Sequence, residues 1–477
     1  MPHRFLAVVI LVCLFSFTGA RAEPWRQVPG VLHVQTRFDG TGRYDLDQLV
    51  ALARARGIEI LIPSDHDYQA MEYGVPPFRN LIKKRERRDS VIGIGPEKFL
   101  ANIARVNAGQ KDVLVIPGVQ SSPFYYWSGI PFRDDFTANN YRKELLVVGL
   151  GKAADYRNLP VLHGPLSTEY TIRLLPRVLV LLGVFVLSFY LIAQRGAMHY
   201  LGIGVAVVSA GLALNHHPFQ SSLFDPYHGD QGVRPHQALI DYVNQRGGLV
   251  FWLHPESNFG ANGEKLGPVR LQTPHYVDDL INTVDYTGFE AIYGDTVRMT
   301  DPGKQWDRIL NQYCRGERAH PVWGFSGADF HGDRRGEVID EYQTIFLLKE
   351  KTSESVLDAL KKGRYYAVRK SPPGRIVLDT FSVSTTKTDA TAIMGETLTA
   401  AGVTVIRGRV SDPNGGKYRV RLRLIRGGEV FQEMEGDLPI AFDFHDTEPR
   451  QGMTYYRLAA SGGGRRILSN PIFVRKP

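Results

Sequence analysis

The 477-residue chain is long enough for two domains with accessory segments, and its 43% apolar and 22% charged residues exclude a disordered or fibrous protein. The formal charge of +8 comes from basic residues scattered along the chain, with no basic stripe interleaved with aromatics. Phosphate-bearing partners or anionic lipid therefore suit it better than nucleic acid, which is not expected as a partner.

Arg4 precedes an apolar core at 5–17, and the small residues Ala20 and Ala22 follow, which is the build of a secretory signal over 1–22. Cleavage after Ala22 would start the mature chain at Glu23, and an uncleaved anchor would export the rest equally well. Cys13 lies inside this stretch, which leaves Cys314 alone downstream. No internal disulfide is expected, and cysteine usage does not fix the redox compartment.

A strand-like run at 30–36 carries His33 and Gln35 and leads to Asp39. A helix is predicted over 46–56, stopped by Gly57, and 58–62 then alternates as a strand that delivers Ser64, Asp65, His66 and Asp67. In such a βαβ unit, side chains leaving the C-terminal ends of parallel strands project into one mouth. The basic run Lys83, Lys84, Arg85, Arg87 and Arg88 has helical character and reads as a solvated face, with a phosphate or lipid role as the alternative. Residues 113–117 lead into Gly118, Val119 and Gln120, and a further strand is predicted at 145–150.

Two apolar runs, 178–193 and 201–214, are separated by a short polar segment containing Arg195. Each falls short of the roughly 20 residues a spanning helix wants, so flanking residues must help to fill the hydrocarbon. A transmembrane hairpin is expected over 173–215, with a pair of buried core helices as the alternative. Candidate ligands lie on both sides of it, and only an even number of crossings returns them to one compartment. After an N-terminal signal that compartment is outside the cytoplasm, the periplasmic side in a Gram-negative bacterium.

Beyond the hairpin, His216, His217, His228 and His236 fall in a Pro- and Gly-rich stretch read as a surface loop. Residues 247–252 then run into His254, and 321–325 into Asp329 and His331. Each apolar run thus ends in a residue type that binds metal.

These segments, 32–40, 64–67, 117–120, 253–255 and 327–331, resemble the successive motifs of the PHP family, named for polymerase and histidinol phosphatase. The resemblance covers most of 30–370. It implies an α/β fold, a distorted TIM-barrel-like β/α barrel whose strand ends hold up to three divalent metals, and hydrolysis of phosphoesters. Matched residue by residue, it implies His33, Asp39, His66, His254, Asp329 and His331 as metal ligands, Asp39 only with a first loop one residue shorter than usual. Asp39, His66 and His331 would hold one ion, and His33, His254 and Asp329 a second, poorer one. Gln35, Gln120 and Leu146 stand where the family has two histidines and a bridging glutamate. A neutral amide donates less charge to a divalent ion than carboxylate or imidazole, so fewer than three of Mn, Zn or Fe are expected per chain. Asp65 and Asp67 are candidates to orient imidazoles, with turn capping as their alternative. No catalytic side chain is assigned beyond these.

The predicted helix at 353–362 ends at Gly363, and Ser371, Pro372, Pro373 and Gly374 read as a linker. Alternating runs at 404–410, 418–425 and 454–460 then predict an all-β, sandwich-like domain over 371–477, for packing or spacing rather than carbohydrate or protein binding. The expected order is a signal at 1–22, a PHP-like domain in two parts at 23–172 and 216–370 around the hairpin, and the β domain. Two functions remain open. One is a membrane-anchored, extracytoplasmic metal-dependent hydrolase of phosphorylated small molecules or envelope components. The other is a catalytically degenerate binding or scaffold protein on the same fold.

Overall fold

The computed structural model describes residues 25–333, 336–372, 374–448 and 451–477. The expected signal at 1–22 lies outside them. The first strand, Arg26–Val34, runs parallel to Ile60–Pro63, with Leu32 opposite Ile62, and parallel to Trp323–Phe330, with Leu32 opposite Gly327. Asp65–His66 pairs with Gly118–Ser121, which pairs with Leu145–Val148, and the pairings continue through Leu249–Trp252 and Gly288–Ile292 to Trp323–Phe330. Leu145–Val148 is antiparallel to both neighbours, a departure from the parallel order of a regular β/α unit. Ile60–Pro63, Leu145–Val148 and Leu249–Trp252 are continuous apolar runs buried on both faces, as sheets covered by helices require.

The helices follow their sequence signals. Leu46–Ala55 starts at a capping box between Asp45 and Gln48 and buries Leu46, Leu49, Val50 and Ala53, one face at helical spacing. Gly57, at φ +69°, takes the left-handed turn that ends it. Ser353–Lys362 is capped by Thr352 and closed by Gly363 at φ +72°. The Lys83–Arg87 run corrects the helical expectation: it is a strand, antiparallel to Ala70–Gly74. The cause is buried Glu72, which pairs with Lys83 at 2.6 Å and with Arg85 on alternate positions of that strand. His236 is likewise no loop residue, since it is buried on the helix Arg234–Gln245 and stacked 5.2 Å from Trp252.

Two helices, Thr171–Ile192 and Ala197–Asn215, are long and apolar enough to cross a membrane. At 22 and 19 residues they extend past the strictly apolar runs, which makes up the length those runs lack. Their apolar windows are only 11% and 22% buried, unlike the core helices of the alternative expectation.

The C-terminal region is β-rich. Two sheets, one of them Thr388–Ala392, Val377–Thr385, Thr404–Ser411 and Ile440–Asp446, enclose a second apolar cluster that includes Leu378, Ile406, Leu422, Leu458 and Val474. The change of texture near 371 falls at a turn bridged between Ser371 and Gly374, yet Tyr365–Arg369 pairs across it with Arg465–Ser469. One sheet therefore joins strands on either side of the expected linker.

Candidate functional site

Strand ends bring the histidines and Asp329 together, with unusual backbone at two of the histidines and at Asp329. His33 has φ +62°, His254 +25° and Asp329 +45°. Such left-handed conformations cost energy for residues with a side chain and concentrate at functional sites. At His33 the register also shifts between Leu32 and Val34 against both parallel neighbours, which breaks the regular alternation of faces there.

Three imidazoles share one plan: a partner holds Nδ1, and Nε2 faces oxygen. His33 Nδ1 meets Glu290 Oε1 at 2.5 Å, while its Nε2 lies 3.1 Å from both Gln120 Oε1 and Asp329 Oδ1. His66 Nδ1 meets Asp39 Oδ2 at 2.7 Å, with Nε2 directed toward Glu144 Oε1 at 3.9 Å. His254 Nδ1 lies 3.1 Å from the Tyr276 hydroxyl, which donates its own proton to the Leu253 carbonyl, so the ring nitrogen donates to it. His254 Nε2 then lies 3.1 Å from Glu144 Oε2. A ring whose Nδ1 proton is committed in this way offers its Nε2 lone pair to an ion, the usual arrangement of metal-binding histidine.

The supporting groups are held in turn. Glu290 also accepts from the His254 amide at 2.6 Å, and Gly327 leaves room for it, since a Cβ there would lie 1.7 Å from Glu290 Oε1. Asp39 accepts from the His66 amide at 2.8 Å and from Thr41. Ser122 donates to Glu144 at 3.0 Å. Burial opposes the charge of Glu144, but the hydrogen bond and charge of His254, with the charges of His66 and Arg142, outweigh it and hold the carboxyl at about 2. Burial likewise opposes a charged His33, yet Glu290 and Asp329 prevail and raise its imidazole well above the ordinary value. Burial also works against a charged His66, and Asp39 and Glu144 overcome it to raise that ring. An ion entering here displaces protons from these nitrogens.

Asp65 accepts from the Thr36 amide at 2.7 Å and hydroxyl at 2.9 Å, which braces the first two strand ends; burial and the Asp39 charge push it up to about 7. Asp67 caps the Tyr68 amide at 2.6 Å, and burial pushes it too up to about 7. Gln35 donates to Gln120 at 2.6 Å, an amide pair at two strand ends. Leu146 is fully buried, opposite Gln120 in the register. His331 is 41% exposed at the mouth, with Nδ1 2.9 Å from the Asp329 carbonyl, so it neighbours Asp329. No three His, Cys, Asp or Glu side chains converge on one point suited to an ion among the described residues. The donors are of the right chemistry for a divalent ion and stand in pairs.

Glu144, Glu290 and Tyr276 were not singled out by the sequence reading. Glu144 precedes an antiparallel strand, so the N-terminal end of that strand meets the site, and a search of C-terminal strand ends passes it over. Glu290 carried a legible signal, a lone carboxylate inside an apolar strand.

No protein-family model and no curated protein matches the chain. Among solved structures it is similar to that of "a putative metal-dependent phosphoesterase" from Bifidobacterium adolescentis, at 17% identity over 66% of this chain and 91% of that chain, with a TM-score of 0.27. At that level the likeness assigns no activity to this chain.

Proposed function

We propose that the chain is a membrane-anchored, metal-dependent phosphoester hydrolase whose PHP-like site lies outside the cytoplasm. One observation carries this reading: His33, His66 and His254 each have Nδ1 held by Glu290, Asp39 or Tyr276 while Nε2 faces an acidic or amide oxygen. The parallel pairings of Arg26–Val34 with both Ile60–Pro63 and Trp323–Phe330, and the run of pairings from Asp65–His66 to Trp323–Phe330, support a distorted β/α barrel, and the two C-terminal sheets support a sandwich.

His33, His66, His254, Asp329, His331 and Glu144 are the groups that would hold Mn, Zn or Fe, fewer than three ions per chain. Such an ion supplies Lewis acidity toward a phosphoryl oxygen and makes water a better nucleophile at neutral pH. Glu290, Asp39 and Tyr276 fix the ring tautomers and directions, and Asp65 locks the Thr36 turn that carries the first strand into the site. The substrate class is a phosphorylated small molecule or envelope component, and the two apolar helices tether the site to the bilayer.

Elemental analysis of the reconstituted full chain tests this reading. Bound divalent metal in the wild type, lost together with phosphoesterase turnover in His66→Ala/His254→Ala, is the expected result. A second reading, a scaffold that has lost catalysis, is favoured by the Gln35–Gln120 amide pair, which puts neutral groups where the PHP motifs carry histidine and glutamate. A folded wild type that takes up no metal and turns over no phosphoester with Mn, Zn or Fe would put that reading first.

A further inference from the structure

The geometry points to a second membrane contact: the loop 75–82, with its basic flank, seats in the headgroup layer of an anionic bilayer beside the apolar helices. This rests on reading those helices as membrane-spanning. The loop joins the paired strands Ala70–Gly74 and Lys83–Arg87 and is fixed to the end of the second apolar helix. The Asn80 amide donates to Asn215 Oδ1 at 2.7 Å, and Asn80 Nδ2 donates to the Asn215 carbonyl at 2.8 Å. Phe78 packs on Gly211, where a Cβ would come within 2.7 Å of its ring. Gly211 precedes Asn215 by one turn, so Phe78 touches the helix about 6 Å inside its end at a rise of 1.5 Å per residue. Interfacial segments bury about 5–10 Å of apolar face, a depth that matches a contact one turn inside the end of a spanning helix.

Other side chains around this point lack protein cover. On the loop, Val75, Leu81 and Ile82 are 52%, 51% and 56% exposed. Beside the start of the first apolar helix Leu166 is 75% exposed, and the neighbouring Ser167 amide donates to the carbonyl of Phe219, which follows the second helix. Charge completes the match. Arg79 lies over the Tyr227 ring at 3.8 Å, the 82% exposed Lys84 side chain pairs with the exposed Glu86 at 3.2 Å, and Arg177 reaches His216 at the same boundary. Apolar side chains rimmed by arginine and lysine, continuous with spanning helices, suit anionic lipid headgroups. The surface is thus a lever that fixes the orientation of the ectodomain against the bilayer.

The test uses the full chain in nanodiscs of phosphatidylcholine with phosphatidylglycerol, in a Cys13→Ser/Cys314→Ser background. A fluorophore at Ile82→Cys is expected to lose emission to lipid spin-labelled near the headgroup, and to lose less in pure phosphatidylcholine. The same fluorophore at Val430→Cys, in the C-terminal sheet, keeps its emission. Val186→Cys, in the first apolar helix, reports separately on spanning through a deep spin label. Quenching at 186 without quenching at 82 overturns the proposal and leaves the membrane anchor standing; quenching at neither overturns both. Equal quenching at 82 and 430, or quenching at 82 only when two chains share a disc, also overturns it.

Discussion

Glu144 Oε2 lies 3.1 Å from His254 Nε2, and the other oxygen of the same carboxylate points to His66 Nε2 at 3.9 Å. One buried acid therefore stands between two imidazoles whose far nitrogens are both held by other groups. Glu144→Gln keeps the shape and the Ser122 donor while removing the charge. Divalent metal affinity is expected to fall at least about 10-fold, the size typical of losing a group that supports a metal site. Calorimetric titration of the folded variant checks this, and an unchanged affinity would remove Glu144 from the centre.

Gln120→Glu places a carboxylate where the resemblance to the PHP motifs implies a bridging glutamate. The new carboxylate still accepts from Gln35 Nε2, now 2.6 Å from Gln120 Oε1, and adds charge 3.1 Å from His33 Nε2. Metal affinity is expected to rise by about 10-fold or more if the donors act on one ion. Equilibrium competition with a chelating dye reads the change. A variant that folds normally and binds no better would favour the scaffold reading.

Much of the frame was legible because apolar runs and their punctuation are local signals. The helix starting after Asp45 and ending at Gly57, and the histidines at the ends of apolar runs, follow from spacing alone. Partners that depend on tertiary contact were not legible. Nothing near Lys83 in sequence says that Glu72 is buried beneath it and draws the basic run into a strand. Asp39 looked like a ligand by motif, and only the fold shows its carboxylate on His66 Nδ1. The role of Glu144 required knowing that its strand runs antiparallel.

Glu72 gives the fold a pH dependence that can be read independently of any metal. Its burial opposes charge, but His163 at 3.1 Å and Lys83 at 2.6 Å outweigh that and hold the carboxyl at about 2. A carboxyl depressed in the folded state adds stability above its unfolded value, roughly 4.5, and that stability is lost as pH falls toward about 2. Because Lys83 and Arg85 are partly open to solvent, the contribution is about 2 kcal/mol at most after screening. Denaturant midpoints of wild type and Glu72→Gln should differ at pH 6 and converge on acidification through roughly pH 4.5 to 2. Midpoints that keep a constant offset across that window would mean Glu72 is not held in its charged form by the fold.

The C-terminal β-rich region is tied to the first core by a buried ion pair. Arg457 donates through Nε and Nη2 to the two oxygens of Asp307, each at 2.7 Å, and Tyr455 donates to the same carboxylate at 2.7 Å. Both charged side chains are buried, 0% and 1% exposed, with the guanidinium 4.8 Å over Trp306. Such a pair adds little over a well-packed apolar substitute, but breaking it leaves a buried charge without a partner. Asp307→Ala is therefore expected to destabilise the protein by about 3–5 kcal/mol. The double variant Asp307→Leu/Arg457→Met, which removes both charges, should recover much of that loss. Denaturant unfolding of the two variants against wild type measures both numbers. A double variant no more stable than Asp307→Ala would mean the contact depends on the shape of the pair rather than on an orphaned charge.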